Sequence, residues 1–450
     1  MGDADVYNRT RVLHRTRVPL ALAAGLALVA TGCAAHSDND NPDLGGASDG
    51  TVTINMMHLY PQAGAAGQYR IVSKIIDEYQ SENPNVVIKQ EVFDNEQYKA
   101  KIKVLSAINE LPDVGMTWAA GYLQPFVGGE LFAPLDDLLQ GDLKDSFVAG
   151  TTEAYAIEGK TYALPLEFNL APIYYNKQIF EQYDLQVPTT YADFLNVVRT
   201  LEDHGVVPIA LGNKDRWTGS LWYMYMADRV AGAEKLANAL KGEASFTDPG
   251  LIESAKMLQE LAGMNAFNEG FNGLSNDEVK EQFIQGKAAM YLMGTWELPN
   301  YTTNQKVAQQ LRNNIGFFKF PTIAGGKGNI DSWVGGPGVG LFVAENSPVK
   351  EEAKRFVEYF VKRWGEESVT GAGVIPATKV DTAKVRLPQL YTDLLNELNK
   401  ATSITLFADV QLNSSAAEVH LNQIQALFGG AVTPGRFAAE HDKAVKAGGP

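Results

Sequence analysis

The histidines, the single cysteine and the glycine-rich turns are the residues of this chain that would carry metal, covalent or phosphate chemistry, and their spacing fits none of it. His36, His58, His204, His420 and His441 stand too far apart to make an HExxH zinc helix. No GxSxG elbow presents a serine on a strand-to-helix turn. Gly159-Lys160-Thr161 ends like a phosphate loop, but Ala154 stands where its first glycine belongs. Gly336-Pro337-Gly338-Val339-Gly340 feeds a strand pattern rather than a helix, so it is no dinucleotide fingerprint. Acidic residues are plentiful, yet no glycosidase pattern marks a pair of them. Cys33 is the one cysteine in 450 residues, which leaves no internal disulfide and no cysteine-ligated metal. What remains is binding chemistry. Six tryptophans offer flat apolar faces, and carboxylates and amides offer hydrogen-bonding edges. No cofactor, no metal and no catalysis are expected.

Cys33 has a chemistry of its own. Arg9, Arg11, Arg15 and Arg17 precede the apolar run Val18–Ala30, and small residues follow. A basic segment, a short apolar core and a small-residue cut make a secretory signal. The run falls short of the ~20 apolar residues that span a bilayer. Ala30-Thr31-Gly32-Cys33 resembles a bacterial lipobox, whose cysteine is acylated after cleavage. An ordinary cut near Ala35, discarding Cys33, is the alternative. Residues 1–32 are thus expected to be a signal peptide and 33–50 a lipidated tether. Asp38, Asp40 and Asp43 imitate a calcium loop, but Pro42 takes the third ligand position and the closing glutamate is missing. The small, acidic composition suits a solvated linker.

The formal net charge is −15, and removing residues 1–32, with four arginines against Asp3 and Asp5, makes it −17. Such acidity argues against nucleic acid, whose binding rests on lysine and arginine neutralising phosphates. It also disfavours a peripheral grip on anionic lipid, leaving an acyl anchor to hold the body at the membrane. The remaining length exceeds what one hydrophobic core usually serves, so two domains are expected.

The elements that must position these side chains read as α/β. Val52, Ile54 and Met56 alternate as a strand, and Tyr69, Val72, Ile75, Ile76 and Tyr79 recur at helical spacing up to Asn83-Pro84. Val86, Ile88 and Val92 alternate again, completing a βαβ unit with parallel pairing. Asp113–Trp118, Ala171–Tyr175, Val207–Leu211, Ala288–Met293, Ile315–Phe320 and Gly338–Ala344 read as further strands. Asp248-Pro249 caps one helix and Ser347-Pro348 another, and the last hundred residues or so are mostly helical.

The runs LPDVGMTW (Leu111–Trp118), LFAPLDDLL (Leu131–Leu139), YALPLEFNLAPIYYNKQIF (Tyr162–Phe180) and GKAAMYLMGTW (Gly286–Trp296), with the Gly373-Val374-Ile375-Pro376 turn, are loose singly but specific in order and spacing. Through them the body resembles the extracellular solute-binding proteins of bacterial ABC importers, in the sugar-binding family that includes maltodextrin-binding protein. The resemblance implies a two-lobe, periplasmic-binding-protein-like (Venus flytrap) α/β fold with a helix-rich C-terminus and ligand in the cleft. Crossings would fall near Pro165–Asn169, Thr322–Ile330 and Val374–Thr378. Lobe one would be 51–166 plus 327–373, and lobe two 167–326 plus 374–450. The implied function is capture of a mono- or short oligosaccharide for a membrane permease, at the extracellular face of the cell membrane. The same fold with another solute, or a secreted carbohydrate-active enzyme, is the alternative.

A sugar ring needs aromatic platforms and edge-on polar partners. Trp118 and Trp296 end strand patterns where the family places cleft aromatics. Trp217 and Trp222 sit in NKDRWTGSLWYMYM, on a helix that faces the cleft in relatives, and Trp333 in DSWVGG. Glu167 and Asn169 lie at the first crossing, and Asn95 follows a strand. Asp331, Asp409 and Gln411 are candidate hydroxyl partners, and His58 and Tyr60 follow the first strand toward the cleft mouth.

Overall fold

A computed structural model of the chain describes residues 50–381 and 385–447. The expected signal peptide, Cys33 and nearly all of the tether lie outside the described residues. No helix among the described residues is long and apolar enough to cross a membrane.

The expected βαβ unit opens the fold. Strand Val52–His58 pairs in parallel with Val86–Val92, and helix Ala66–Glu82 connects them. Val72, Ile75, Ile76 and Tyr79 of the expected stripe are buried, as their spacing predicts; Ile71 joins them, and Tyr69 is only half-buried. Asn83 ends the helix, its amide donating to the Tyr79 carbonyl at 2.9 Å before Pro84. Val52–His58 also pairs in parallel with Val114–Thr117, which pairs antiparallel with Gly340–Val343, and Leu164–Pro165 completes a five-stranded sheet. Its strands Val114–Thr117 and Gly340–Val343 are buried throughout, the mark of a sheet covered on both faces there. Asp113 pins it: Oδ2 accepts from the Asn55 backbone at 2.7 Å, and Oδ1 from the Ser347 hydroxyl at 2.6 Å.

A second sheet of four strands runs in the order Ile315–Phe318, Ile173–Asn176, Ala288–Leu292, Val207–Ile209. Helix Pro249–Gly263 starts as predicted, with Asp248 accepting from the Gly250 backbone at 2.8 Å. Helices Gln389–Lys400, Ser414–Phe428 and Pro434–Ala447 form the helical C-terminus.

A three-stranded ribbon is made of Ser403–Thr405, Ser332–Pro337 and Phe168–Leu170, and the last two of these lie between strands of the two sheets along the chain. Residues 164–176 pass from the five-stranded sheet through the ribbon to the four-stranded sheet, and residues 315–343 make the return. Residues 322–330 lie against the helix Trp217–Ala231, with Lys327 donating to Val230 and Gly328 to Arg229 through their backbones. A third passage runs beside the first, where Phe168 N donates to Ile375 O at 2.9 Å and Ala377 N to Leu166 O at 3.0 Å. Gly335 is demanded by this closeness, since a Cβ there would stand 2.3 Å from Asn169 O. Buried Arg229 clamps the ribbon from one side, donating to Phe320 O, Ser332 O and Ser332 Oγ and pairing with Asp228. The near-phosphate loop at Gly159-Lys160-Thr161 is a tight hairpin turn, Glu158 and Gly159 having φ of 51° and 77°.

Candidate functional site

Both sheets end their strands at one cavity of about 190 Å³, room for a small solute rather than a single water. Tyr60 follows strand Val52–His58, Asn95 follows Val86–Val92, and Trp118 follows Val114–Thr117. Trp296 follows Ala288–Leu292 of the other sheet, and Asp409 follows Ser403–Thr405 of the ribbon. Glu167 and Asn169 reach the cavity from the first passage, and Trp217 from the first turn of helix Trp217–Ala231. Sites outside the carboxyl ends of strands are the rule in open α/β sheets, and two facing rims make this one.

The aromatic rings are fixed by their neighbours. Tyr122 packs edge-on against Trp118 at 5.0 Å, and the Lys99 ammonium lies 4.9 Å from the Trp118 ring centre. Trp217 and Phe407 pack edge-on against Trp296 at 5.9 and 5.7 Å. Tyr60 stacks on Trp364 at 5.6 Å with the rings 9° from parallel.

The polar groups are equally constrained. The Tyr60 hydroxyl donates to Glu167 Oε1 at 2.8 Å. Burial pushes the Glu167 carboxyl up to about 7, against the bonds from Tyr60 and Asn169 that favour its charge. Asn169 Oδ1 accepts from Thr295 Oγ1 at 2.9 Å, and Thr295 Oγ1 accepts from Leu170 N at 3.2 Å. Lys280 pairs with Asp277 at 2.7 Å and stands 3.7 Å from Glu297, which accepts from Asn300 at 2.7 Å. Burial works against the Lys280 charge, but Glu297 and Asp277 outweigh it and hold the ammonium above the ordinary lysine range. Burial raises Asp409, with Lys99 opposing.

Five expected site residues stand elsewhere. Trp222 is buried among Phe194, Phe267 and Phe320. One residue along a helix turns a side chain by about 100°, so Leu221 lines the cavity while Trp222 points into the core. Trp333 is buried within the ribbon. His58 is buried too: its Nε2 lies 3.1 Å from Gln90 Oε1, and its Nδ1 accepts from Tyr60 N, so it shapes the loop beneath Tyr60. Asp331 Oδ1 pairs with Lys319 at 2.7 Å. Gln411 lies where Gly121 packs tightly, its carbonyl 2.6 Å from a Cβ at that glycine. Sequence reasoning passed over Gln68, Lys99, Lys280, Glu297, Asn300 and Phe407, which line the cavity. Five of these are polar or charged side chains whose solvated reading was the natural one, and only Phe407, beside Asp409, carried a local signal.

The arrangement offers apolar ring faces bordered by amides, carboxylates and ammonium groups. That suits an amphipathic solute held by stacking and hydrogen bonds.

Residues 65–363 match the family model described as "Bacterial extracellular solute-binding protein". The multiple sugar-binding protein of Streptococcus mutans is 27% identical over 306 residues, 64% of this chain and 67% of that protein. A structure solved in work on xylan utilization by the thermophilic bacterium Caldanaerobius polysaccharolyticus is 33% identical, with a TM-score of 0.82 over 87% of this chain and 99% of that one. A chitin oligosaccharide binding protein shares the fold at 21% identity, with a TM-score of 0.81 over 88% and 98% of the two chains. With two sheets facing one cleft and a family match spanning most of the body, the chain belongs to the bacterial extracellular solute-binding proteins.

Proposed function

We propose that this protein is the lipid-anchored extracellular receptor of an ABC importer, capturing a mono- or short oligosaccharide between its lobes and delivering it to the permease without transforming it. The observation that carries the reading is the pair Trp118 and Trp296, set at strand ends of two different sheets and lining one cavity. Sugar rings present C–H faces that stack on indoles and hydroxyls that meet side-chain donors and acceptors. The relatives named for sugars support that ligand class. Carboxylates of Asp277, Glu297 and Asp409 in the lining favour a neutral sugar over a uronate.

In this reading the lobes are 51–166 with 327–373 and 167–326 with 374–450, and the passages near Glu167, Gly335 and Ile375 serve as the hinge. The solute docks on one lobe, and the other closes to complete its hydrogen bonds. Ligand shifts the open–closed balance by its differential affinity for the two forms. The closed form, held near the membrane by acylated Cys33, is what the permease engages. Titration calorimetry over neutral mono- and oligosaccharides, uronates, peptides and polyamines tests the ligand class. Heat with a neutral saccharide alone supports the reading, and heat only with peptides or polyamines overturns it. Conversion of the bound sugar on long incubation would contradict its role as a receptor.

A further inference from the structure

We infer that Glu96 and Trp217 form a latch that favours the closed arrangement of the lobes, with Glu96 acting outside the cavity that holds the solute. The inference rests on the reading that the lobes close on a ligand. Glu96 lies in the first turn of helix Asn95–Ala107, which is fastened to the five-stranded sheet where Tyr98 OH bonds both the Met116 carbonyl and its amide at 2.6 Å. Trp217 begins the helix Trp217–Ala231, fastened through Arg229 to the ribbon at Ser332 and to Phe320, just past the strand Ile315–Phe318 of the other sheet. Trp217 Nε1 donates to Glu96 Oε1 at 3.2 Å, directly from one side of the cleft to the other. Trp217 lines the cavity, while Glu96 does not.

Each partner is held in place. Glu96 Oε1 also accepts from Asn95 Nδ2 at 2.6 Å and lies 3.8 Å from Lys99 Nζ. On the other side, Arg216 has φ of 67°, a left-handed conformation that a side-chain-bearing residue adopts only when its surroundings impose it. Its guanidinium donates to Glu418 and Asn422, each at 2.7 Å. Asp215 fixes the turn from the other flank, accepting from the Asn276 backbone at 2.8 Å and from Trp217 N at 2.8 Å. The unfavourable backbone at Arg216 and the four bonds around it aim the indole outward at Glu96.

Opening the hinge breaks this bond whatever solute is present. A contact that acts only on closure multiplies every ligand's apparent affinity by one common factor, since that affinity scales with the closed fraction. A residue that touches the solute instead changes affinities by amounts that differ between solutes. The latch therefore predicts a uniform loss, roughly five-fold for one hydrogen bond to a half-exposed carboxylate.

The test is a double-mutant cycle with Glu96→Ala and Trp217→Phe, read by small-angle scattering of the ligand-free protein and by calorimetry over a saccharide panel. Each single variant is expected to widen the ligand-free protein, and Glu96→Ala to weaken all saccharides by the same factor. The double variant should be no worse than Trp217→Phe alone, and Glu96→Gln, which keeps an acceptor, should restore most of the loss. Additive losses, a Glu96→Ala factor that varies with the sugar, or unchanged ligand-free scattering in both single variants would overturn the latch. If no saccharide binds the parent protein, the functional reading fails while the scattering comparison still decides the latch.

Discussion

Tyr60 and Glu167 share a hydrogen bond of 2.8 Å that ties the loop after the first strand to the first passage between the sheets. Glu167 sits where lengths of backbone meet, Gly338 N donating to the Glu167 backbone carbonyl at 2.9 Å and Pro376 bridged to Glu167. Its protonation is therefore linked to stability and to the cleft.

Glu167 titrates near 7 when folded, raised by burial, against 4.5 ordinarily. Below 4.5 both folded and unfolded forms are protonated, and stability is full. As pH rises to 7 the unfolded chain ionises first, so stability is lost across that window, by up to about 3 kcal/mol at ~1.4 kcal/mol per pH unit. Glu167→Gln should abolish this slope in urea unfolding at pH 5–8. Tyr60→Phe should move the titration higher, because the hydroxyl favours the carboxylate. Equal slopes in parent and Glu167→Gln would refute the assignment.

Buried histidines act in the opposite sense. Burial holds His58 at about 4, with Gln90 opposing, and His441 at about 4. His420 is pushed further down by burial and by His441, within a buried chain in which Ser220 Oγ lies 2.6 Å from His420 Nε2 and His420 Nδ1 lies 2.8 Å from His441 Nε2. Above pH 6.5 nothing is gained or lost. Between 6.5 and 4 the unfolded chain takes up protons the folded form refuses, and stability falls as pH falls. His58→Gln should remove about 3 kcal/mol of that acid loss. The check is denaturant midpoints between pH 7 and 4, where identical curves would count against it.

Tryptophans in the cleft and the core should separate cleanly. Trp118→Ala and Trp296→Ala are each expected to weaken saccharide binding by about 1–3 kcal/mol, the scale of other aromatic stacking losses. Trp222→Ala should cost about 3–5 kcal/mol of stability, as for a fully buried ring. Thermal melts beside calorimetry make the distinction, and unchanged affinity for Trp118→Ala and Trp296→Ala would remove them from the site.

Arg229→Met strips Asp228 of its buried counter-charge and should cost about 3–5 kcal/mol. Chemical unfolding measures it, and a loss below about 1 kcal/mol would show that Asp228 is neutral in the fold, as burial, which raises its carboxyl, would favour.

The fold was largely legible because hydrophobic period and the Asp248 cap agree with it: Val72, Ile75, Ile76 and Tyr79 of the helical stripe, the alternation at Val52 to Met56 and the cap at Asp248 appear as read. Strand ends are visible in sequence, which is why Trp118 and Trp296 stood out. Facing is not. Trp217 and Trp222 share one helix, and only the three-dimensional phase of that helix sends one to the cleft and the other to the core. His58 ends its strand in the run Met56, Met57 and His58, all buried, where alternation no longer carries information. Lys280 and Glu297 are charged residues that sequence assigns to solvent, and their burial depends on each other's presence from separate elements.

The central claim is that a saccharide sits between the two lobes, in contact with aromatic rings from both. A crystal structure of the protein soaked with a binding saccharide tests it most directly. The account predicts sugar density within stacking distance of Trp118 and Trp296, with Glu167 or Asn169 bonded to a hydroxyl. Sugar density elsewhere on the surface, with the cleft empty, would contradict it.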